Sequence, residues 1–449
     1  MKIVIIGNGV AGTNAARFIR KRSEHDIVLI SDESWQPFSR TALMYIYMGH
    51  LKTEHTYLYE DWFWSKNRIQ RVFGRVDRLD ISARRLWLND GAELSYDKLI
   101  IATGSLPNKL GWPGQNLAGV QGLYHLHDLA GMERHSPGLQ RAVVVGGGLI
   151  GIEMAEMFHT RHIPVTLLVR EKSFWGNVLP AEESEMVNRH LREYGIDLRL
   201  DTELEAIDDN GQGAVGAVRT TRGERLECGF VGLTVGVSPN IGFLRGSGIE
   251  LGRGVLVDPY LCTSDPNVFA IGDCAELRQP APGRRPIEAI WYTGRRMGQT
   301  VAATICGEKT AYQPRLWFNS AKFFDIEYQV YGDIPARPLA TVSSLYWEHP
   351  AGKKALRINF DTATKAVTGF NLMGIRYRHE VCEKWILDGA PIETVLQQLS
   401  LANFDPEFFP EQEKQIIAQY NARQGTQLQL QSARKLDLVR RFLTSKSSI

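Results

Sequence analysis

The sequence has few cysteines, no long hydrophobic run and almost no net charge. Its five cysteines in 449 residues are dispersed without a Cys-x-x-Cys pair, which argues against a disulfide framework or a metal site and for reduced cytoplasmic thiols. No apolar stretch approaches the roughly 20 residues that span a bilayer. A formal net charge of +2 argues against nucleic acid as a partner. Because a strand begins at residue 2, a cleaved signal peptide is not expected, and we predict a cytoplasmic protein of several domains.

Two glycine-rich loops of identical spacing, by contrast, stand out in the sequence. These loops are Gly7-Asn8-Gly9-Val10-Ala11-Gly12 and Gly146-Gly147-Gly148-Leu149-Ile150-Gly151. Each follows an apolar, β-branched run, at 2–6 and 142–145, and each opens a segment of helical composition. A strand, a glycine turn and a helix together bring backbone N–H groups and the positive end of the helix to a pyrophosphate. The repetition predicts that the chain binds two dinucleotides.

A second strand follows each loop, and its polar end is expected to meet the ribose of the nucleotide. The strand at 26–30 leads into Asp32 and Glu33, one of which is predicted to bond the ribose hydroxyls. The strand at 165–169 is followed by Arg170, which suits the 2′-phosphate of NADPH, and by Glu171, which suits the 2′-hydroxyl of NADH. The sequence therefore predicts NAD(P)H and leaves the choice of coenzyme open.

Three further strands end in small residues that allow the backbone to approach a cofactor closely. They lead into the turn Ala102-Thr103-Gly104, into Gly236, and into Gly272-Asp273. The aspartate in the last turn can accept hydrogen bonds from polyol hydroxyls of a cofactor, while a helix N-cap is its alternative role.

The order of these segments predicts an α/β fold. We expect two Rossmann-like dinucleotide-binding domains, each with three layers around a parallel sheet, and a C-terminal α+β domain. The predicted boundaries are 1–110 with 240–310, 111–239, 311–400, and a helical, polar extension at 401–449. In the third domain the patterns predict strands at 322–331, 343–348, 355–360 and 366–372, then helices at 379–387 and 392–399. The basic, partly apolar segment 434–443 is expected to pack on the body or stay disordered.

Taken in order, these motifs resemble the pyridine nucleotide–disulfide oxidoreductases, flavoproteins that bind two dinucleotides. The stretches IVIIGNGVAG, IATGS, VVVGGGLIGIEMAE, LTVGVSPN and VFAIGDCAE carry the resemblance across residues 1–310. It implies FAD at the first loop, NAD(P)H at the second, and a third domain forming the far side of the active site. The cofactor-binding residues expected from motif and resemblance together are Gly7, Gly9, Val10, Ala11, Gly12, Asp32, Glu33, Arg40, Val76, Ala102, Thr103, Gly104, Gly146, Gly148, Ile150, Gly151, Glu153, Arg170, Glu171, Gly236, Gly272, Asp273 and Trp291.

Redox cysteines are the feature of that family that this chain lacks. Disulfide reductases, peroxidases and oxidases of the family carry them after the second strand, where this chain has no cysteine in 35–45. A thiolate is required for disulfide exchange or a sulfenic-acid cycle, so neither chemistry is expected there. The segment Pro37-Phe38-Ser39-Arg40-Thr41-Ala42-Leu43 instead resembles ferredoxin and rubredoxin reductases and the flavoprotein part of assimilatory nitrite reductase. This resemblance places Arg40 near the FAD phosphates or the flavin edge. It implies hydride transfer from NAD(P)H to FAD and then electron transfer to a small iron–sulfur protein.

One departure from the ferredoxin reductases concerns a candidate catalytic residue. Those enzymes often pair a lysine, five residues after the loop arginine, with a glutamate on the second nucleotide helix. Here Tyr45 stands at the lysine position, whereas the glutamate is present as Glu153. An unpaired carboxylate has a different protonation balance from a paired one. The departure favours the rubredoxin or nitrite reductase side of the branch.

Two pairs of arginines are candidate contacts for a partner of the chain. Arg284-Arg285 and Arg295-Arg296 flank a predicted helix at 287–304 and could steer an acidic iron–sulfur protein, or could simply be solvated. A regulatory NAD(P)H-binding flavoprotein and an electron-input subunit of a nitrite reductase-like system are the alternative functions. A homodimer is a further expectation, and no metal site is expected.

Overall fold

The chain is divided into two compact units in the computed structural model, which describes residues 1–405, 407 and 411–431. The segment 434–443 and the rest of the predicted extension beyond residue 431 lie outside the described residues. Unit 1 comprises Met1–Gly146, Met157–Val165 and Leu204–Pro314. Unit 2 comprises Gly147–Glu156, Thr166–Glu203 and the described residues from Arg315 onward.

The strands are numbered along the chain. They are β1 (Lys2–Ile6), β2 (Asp26–Ser31), β3 (Ile69–Phe73), β4 (Val76–Asp80), β5 (Arg85–Leu88), β6 (Glu93–Ser95), β7 (Lys98–Ile101), β8 (Ser105–Pro107), β9 (Val120–Gln121), β10 (Ala142–Val145), β11 (Val165–Leu168), β12 (Asp197–Arg199), β13 (Leu204–Asp209), β14 (Val215–Thr220), β15 (Arg225–Glu227), β16 (Phe230–Leu233), β17 (Val237–Pro239), β18 (Val255–Val257), β19 (Val268–Ala270), β20 (Ala275–Leu277), β21 (Phe318–Phe323), β22 (Ile326–Gly332), β23 (Val342–Glu348), β24 (Ala355–Asp361) and β25 (Val367–Met373).

The α-helices are numbered in the same way, and short 3₁₀ turns lie between some of them. The helices are α1 (Val10–Arg22), α2 (Leu43–Tyr47), α3 (Asp61–Lys66), α4 (Leu126–His135), α5 (Leu149–Thr160), α6 (Ala181–Glu193), α7 (Trp291–Ile305), α8 (His379–Leu387), α9 (Ile392–Gln397) and α10 (Glu413–Gln424). No helix within the described ranges is long and apolar enough to cross a membrane.

A parallel five-stranded sheet forms the centre of unit 1, in the order β19-β7-β1-β2-β3. Its central strand β1 is a run of β-branched residues buried from both faces, as expected of a parallel sheet covered by helices. Helix α7 packs closely on α1 at Gly298. An added Cβ at this position would lie 2.6 Å from the Ala11 carbonyl oxygen, so the contact requires glycine. The carboxyl ends of these strands meet at one edge, where open α/β sheets bind ligands.

The second nucleotide unit of the sequence also forms parallel strands. In unit 1, β10 pairs with β16, which pairs with β9. In unit 2, β11 pairs in parallel with β12. The segment after residue 104 contains β8, which pairs antiparallel with β17. Both predicted parallel units are thus confirmed as α/β structure, while the exact domain boundaries stay a prediction.

An antiparallel sheet with helices makes up the C-terminal part of unit 2 and confirms the predicted α+β class. Its order is β21-β22-β25-β24-β23, with core side chains such as Leu356, Ile358 and Phe370 fully buried. The predicted single strand at 322–331 is wrong. The chain reverses at Phe324 and Asp325, where Phe324 adopts a φ of 56°, so β21 and β22 form a hairpin. Apolar and polar residues alternate through most of 322–331, as in a single strand, and the turn has no glycine, asparagine or proline to mark it.

Candidate cofactor and nucleotide sites

The first glycine loop joins β1 to α1. Other parts of the protein crowd its two outer glycines but leave space at its middle glycine. Gly7 has a φ of +107°, and a Cβ there would overlap the Ala102 carbonyl oxygen. A Cβ at Gly12 would overlap the Gly7 carbonyl oxygen. At Gly9, however, a Cβ would meet no protein atom within 4 Å. The outer glycines are therefore required by the protein's own packing, whereas the absence of a side chain at Gly9 leaves room for a ligand.

Helix α1 begins at this opening and fits an anionic group. Its first residues are Val10 and Ala11, and Gly9 at the N-cap supplies no side-chain hydrogen bond to the free N–H groups of the first turn. Unpaired N–H groups and the helix dipole make such an end a binding site for phosphate. The geometry thus fits the pyrophosphate of a dinucleotide.

The turn Ala102-Thr103-Gly104 lies beside this loop, after β7. The Ala102 N–H donates to the Ile6 carbonyl, which holds the turn against β1. Thr103 Oγ1 donates to the Asn240 carbonyl at 2.7 Å, and the Asn240 N–H donates to the Gly104 carbonyl at 2.9 Å. This close crossing of the chain accounts for the small residues in the turn.

Glu33 is held in an ion pair with Arg40. Its carboxylate oxygens accept from the Arg40 guanidinium at 2.7 and 3.1 Å, and Oε1 also accepts from the Leu126 N–H at 2.9 Å, at the start of α4. Burial by itself would raise the pKa of Glu33, but hydrogen bonds from His125 and Arg40 more than offset it and lower the pKa to about 2. Glu33 is therefore ionised and already fully engaged with protein groups.

Tyr124 connects Arg40 to Asp273. The guanidinium of Arg40 lies over the Tyr124 ring, with its carbon 4.4 Å from the ring centroid. Tyr124 OH accepts from the Ser105 N–H at 3.0 Å and donates to Asp273 Oδ2 at 3.1 Å. Burial raises the pKa of Asp273 in spite of that hydrogen bond. No local pattern marks Tyr124 in the sequence, so this residue was missed.

The remaining residues predicted at the FAD site lie at separate points of unit 1. Asp32 is exposed just after β2, and Val76 is the buried first residue of β4. Gly272 lies with Asp273 in a 3₁₀ turn after β19, where it has a φ of +73°. Trp291 is the first residue of α7 and packs edge-on against Tyr292 at 5.3 Å between ring centroids.

The second glycine loop repeats the plan of the first. Gly146 has a φ of +120°, and a Cβ there would lie 2.5 Å from the Thr234 carbonyl oxygen. A Cβ at Gly148 would meet nothing within 4 Å. Ile150 and Gly151 follow in the first turn of α5. The middle glycine again has no counterpart in the protein's own packing, which fits a second pyrophosphate.

Two other predicted nucleotide contacts have defined surroundings. Gly236 has a φ of +90°, and its carbonyl accepts from the Asn108 N–H at 3.0 Å. Arg170 pairs with Glu171, with 3.1 Å between Nη2 and Oε1. The two residues that would select the coenzyme thus partly neutralise each other.

Glu153 lies on α5 within a small group of charged side chains in unit 2. Burial and the nearby Glu156 raise its pKa to about 7, and Lys322 opposes this rise. Lys322 Nζ lies 2.6 Å from Glu156 Oε1. The sequence reading singled out Glu153 but missed Lys322, which comes from β21 of the C-terminal sheet.

The cysteines offer no accessible thiol near the first glycine loop. All five are free, and the fully buried Cys274 directs its Sγ at the carbonyl oxygens of Ile101 and Ile271, at 3.4 and 3.3 Å. Burial raises the pKa of the Cys274 thiol. Among the residues that the structure describes, no His, Cys, Asp and Glu side chains group into a metal site.

The arginine patch around α7 is smaller than the sequence suggested. Arg284 forms a two-pronged ion pair with the buried Glu288, and Arg296 donates to the Gln313 carbonyl at 3.1 Å. Arg285 and Arg295 are exposed. Two arginines, not four, are therefore placed to meet a partner.

Residues 1–304 match the sequence profile of the pyridine nucleotide-disulphide oxidoreductases, which covers both glycine loops. The chain belongs to this family. It is an FAD-dependent oxidoreductase that takes electrons from NAD(P)H.

Named relatives agree with this family, and a solved structure shares the fold. The oxidoreductase is 33% identical over 304 residues to the ferredoxin–NAD(+) reductase component of the biphenyl dioxygenase system of Paraburkholderia xenovorans, covering 67% of this chain and 74% of the relative. It is 29% identical to the rubredoxin-NAD(+) reductase of Ectopseudomonas oleovorans, covering 71% and 83%. A NAD-dependent persulfide reductase from A. fulgidus has the same fold, with a TM-score of 0.82 and 23% identity over 95% of this chain and 84% of that one.

Proposed function

We propose that this oxidoreductase transfers electrons from NAD(P)H through FAD to a small iron–sulfur protein of the ferredoxin or rubredoxin type. The observation that carries the proposal is the segment 35–45, where the family places redox cysteines and this chain has none. Arg40, in its ion pair with Glu33, stands there instead. Without a thiol relay, electrons leave the protein directly from the cofactor. Two relatives are named as reductases of ferredoxin and of rubredoxin, which supports an acceptor of this type.

The FAD site proposed in unit 1 assigns each group a task. The N–H groups at the start of α1 bind the pyrophosphate next to Gly9, and Asp273 accepts from a ribityl hydroxyl. Asp32 is the better ribose ligand of the two acids, because it is exposed while Glu33 already binds Arg40 and α4. Bound FAD can accept two electrons from NAD(P)H and pass them on one at a time.

The partner surface proposed is the exposed start of α7. Tyr292 is 43% exposed there, and Arg295 lies next to Trp291, with 5.8 Å between its guanidinium carbon and the ring centroid. An aromatic group flanked by arginine suits an acidic redox protein, since opposite charges steer the encounter.

Five free cysteines favour a reducing compartment, and we propose the cytoplasm.

Rapid-mixing spectroscopy of the yellow protein tests this function. NADH or NADPH is mixed with the FAD-loaded protein, and the reduced protein is then mixed with an oxidised ferredoxin, a rubredoxin or oxygen. We expect bleaching by at least one coenzyme and reoxidation by an iron–sulfur protein much faster than by oxygen. A colourless protein that cannot be loaded with FAD would contradict the proposal. A reduced state that persists in the presence of every iron–sulfur acceptor would favour the regulatory alternative.

A further inference from the structure

Two carboxyl groups share one turn of α5 in unit 2. Glu153 and Glu156 are three residues apart, a spacing that places their side chains on neighbouring positions of one helix face. Glu156 is buried, with 7% of its surface exposed, and Glu153 is partly buried. Two carboxylates this close in a poorly solvated place resist being ionised together, so such a pair tends to retain one proton near neutral pH.

A lysine from a distant strand decides which carboxyl is ionised. Lys322 Nζ lies 2.6 Å from Glu156 Oε1, with 28% of the lysine side chain and 10% of the glutamate side chain exposed. A charge-assisted contact of this length favours the carboxylate form of Glu156. The negative charge of Glu156 then opposes ionisation of Glu153. Burial and Glu156 together raise the pKa of Glu153 to about 7, and Lys322 opposes this rise.

The charged and titratable groups that act on the pair come from three parts of the fold. The pKa of Glu153 is shifted by burial, by Glu156 on the same helix and by Lys322 on β21. Tyr194, which follows α6, also lies in the field of Glu156, and burial raises its pKa so that it stays neutral. The lysine position predicted from ferredoxin reductases is occupied by Tyr45, so Lys322 is a cation from a different part of the chain.

We propose that Lys322 is a positioning residue that holds one proton on the α5 carboxyl pair, by keeping Glu156 ionised and Glu153 protonated one turn beyond the second glycine loop. The value of such a proton rests on the proposed function. Oxidation of one NAD(P)H by two one-electron acceptors yields NAD(P)⁺, two reduced acceptors and one proton. A carboxyl that titrates near neutral pH can take up and release that proton at little cost.

Infrared difference spectroscopy of the full-length, FAD-loaded protein tests the proposal. Spectra are compared about one pH unit below and one above neutrality. We expect a protonated-carboxyl band that disappears at the higher pH and is absent in Glu153→Gln. In Lys322→Gln the proton should move to Glu156, so this band is replaced by one that a second substitution, Glu156→Gln, removes. Lys322→Arg should keep the wild-type band.

A second variant and a control distinguish a specific effect on the carboxyl pair from misfolding. Glu156→Gln alone removes the repelling charge and should lower the apparent pKa of Glu153 by at least about one unit. Lys384→Gln removes a lysine from an exposed ion pair of the same unit, at 2.7 Å from Asp388, and should change nothing. An unchanged band in both Lys322→Gln and Glu156→Gln would overturn the proposal.

Flavin reduction by NAD(P)H is measured on the same samples. Absence of the carboxyl band from a wild-type protein with normal flavin reduction refutes only this inference. A normal band without flavin reduction refutes the proposed function.

Discussion

Single residues in the glycine loops divide into those that the fold requires and those that it does not. Gly7 adopts a backbone conformation that other residues rarely reach and abuts the Ala102 carbonyl. Gly9 has an ordinary φ of −63° and open space around its Cα. The GxGxxG motif alone treats these positions as equivalent, and only the structure separates them.

This difference predicts opposite outcomes for two alanine substitutions. Gly7→Ala should lower the unfolding free energy of the FAD-free protein by at least about 2 kcal/mol, since it adds both backbone strain and steric overlap. Gly9→Ala should cost the FAD-free protein less than about 1 kcal/mol but weaken FAD binding by at least about tenfold. Urea unfolding and flavin fluorescence titration check the two effects. Normal FAD affinity in Gly9→Ala would rule out the proposed pyrophosphate contact.

Glu33 predicts a pH dependence of stability. Its folded pKa is about 2, below its ordinary value of 4.5, so its stabilising contribution is fully present above pH 4.5 and is lost as the pH falls toward 2. The contribution is on the order of 3 kcal/mol. Glu33→Gln should therefore flatten the acid limb of the unfolding free energy measured on the FAD-free protein. Asp32→Asn, at the exposed neighbour, is the control and should leave that limb unchanged.

At the scale of elements, helix α6 and strand β24 are joined by a buried ion pair. Arg357 donates to both oxygens of Glu183, at 2.7 and 2.8 Å, and to Glu182 at 2.8 Å. Asn371 on β25 also donates to Glu183, at 3.1 Å. Glu183 has no exposed surface, and Arg357 is 8% exposed, so neither charge has water to replace a lost partner.

Removal of Arg357 should accordingly destabilise the protein strongly. We expect Arg357→Met to lower the unfolding free energy by about 3–5 kcal/mol, because it leaves Glu183 as an uncompensated buried charge. The double variant Arg357→Met with Glu183→Leu should recover most of that loss. Lys384→Met, in the exposed pair with Asp388, should cost less than about 0.5 kcal/mol. Urea unfolding measures these changes. Equal losses of unfolding free energy in Arg357→Met and Lys384→Met would contradict the interpretation.

For the whole molecule, the question is where the acceptor docks. The +2 net charge provides little steering by itself, so a local patch has to attract an acidic partner. Arg284 and Arg296 are engaged within the protein, which leaves the exposed Arg285 and Arg295 as candidates for this patch.

The homodimer stays a prediction, which sedimentation velocity of the purified protein would check.

Charge reversal at this patch should weaken transfer to a protein acceptor. We expect Arg295→Glu to lower kcat/KM for an acidic ferredoxin by about fivefold to tenfold at low ionic strength, and by less as salt screens the interaction. Arg253→Glu, at an exposed arginine in another segment of unit 1, is the matched control. Comparable losses with ferricyanide as the acceptor would show that Arg295 acts on flavin reduction instead of docking.

The sequence by itself determined the two strand–glycine–helix units, the α/β and α+β classes and the absence of a redox thiol in 35–45, because these depend on residues adjacent in the chain. It did not reveal the turn at Phe324, where tertiary packing overrides local preference. Only the tertiary structure decided that Tyr124 meets Asp273 across 149 residues and that Lys322 meets Glu156 across 166. Such contacts leave no periodic signal in the chain, since they arise from the way in which separate strands and helices pack.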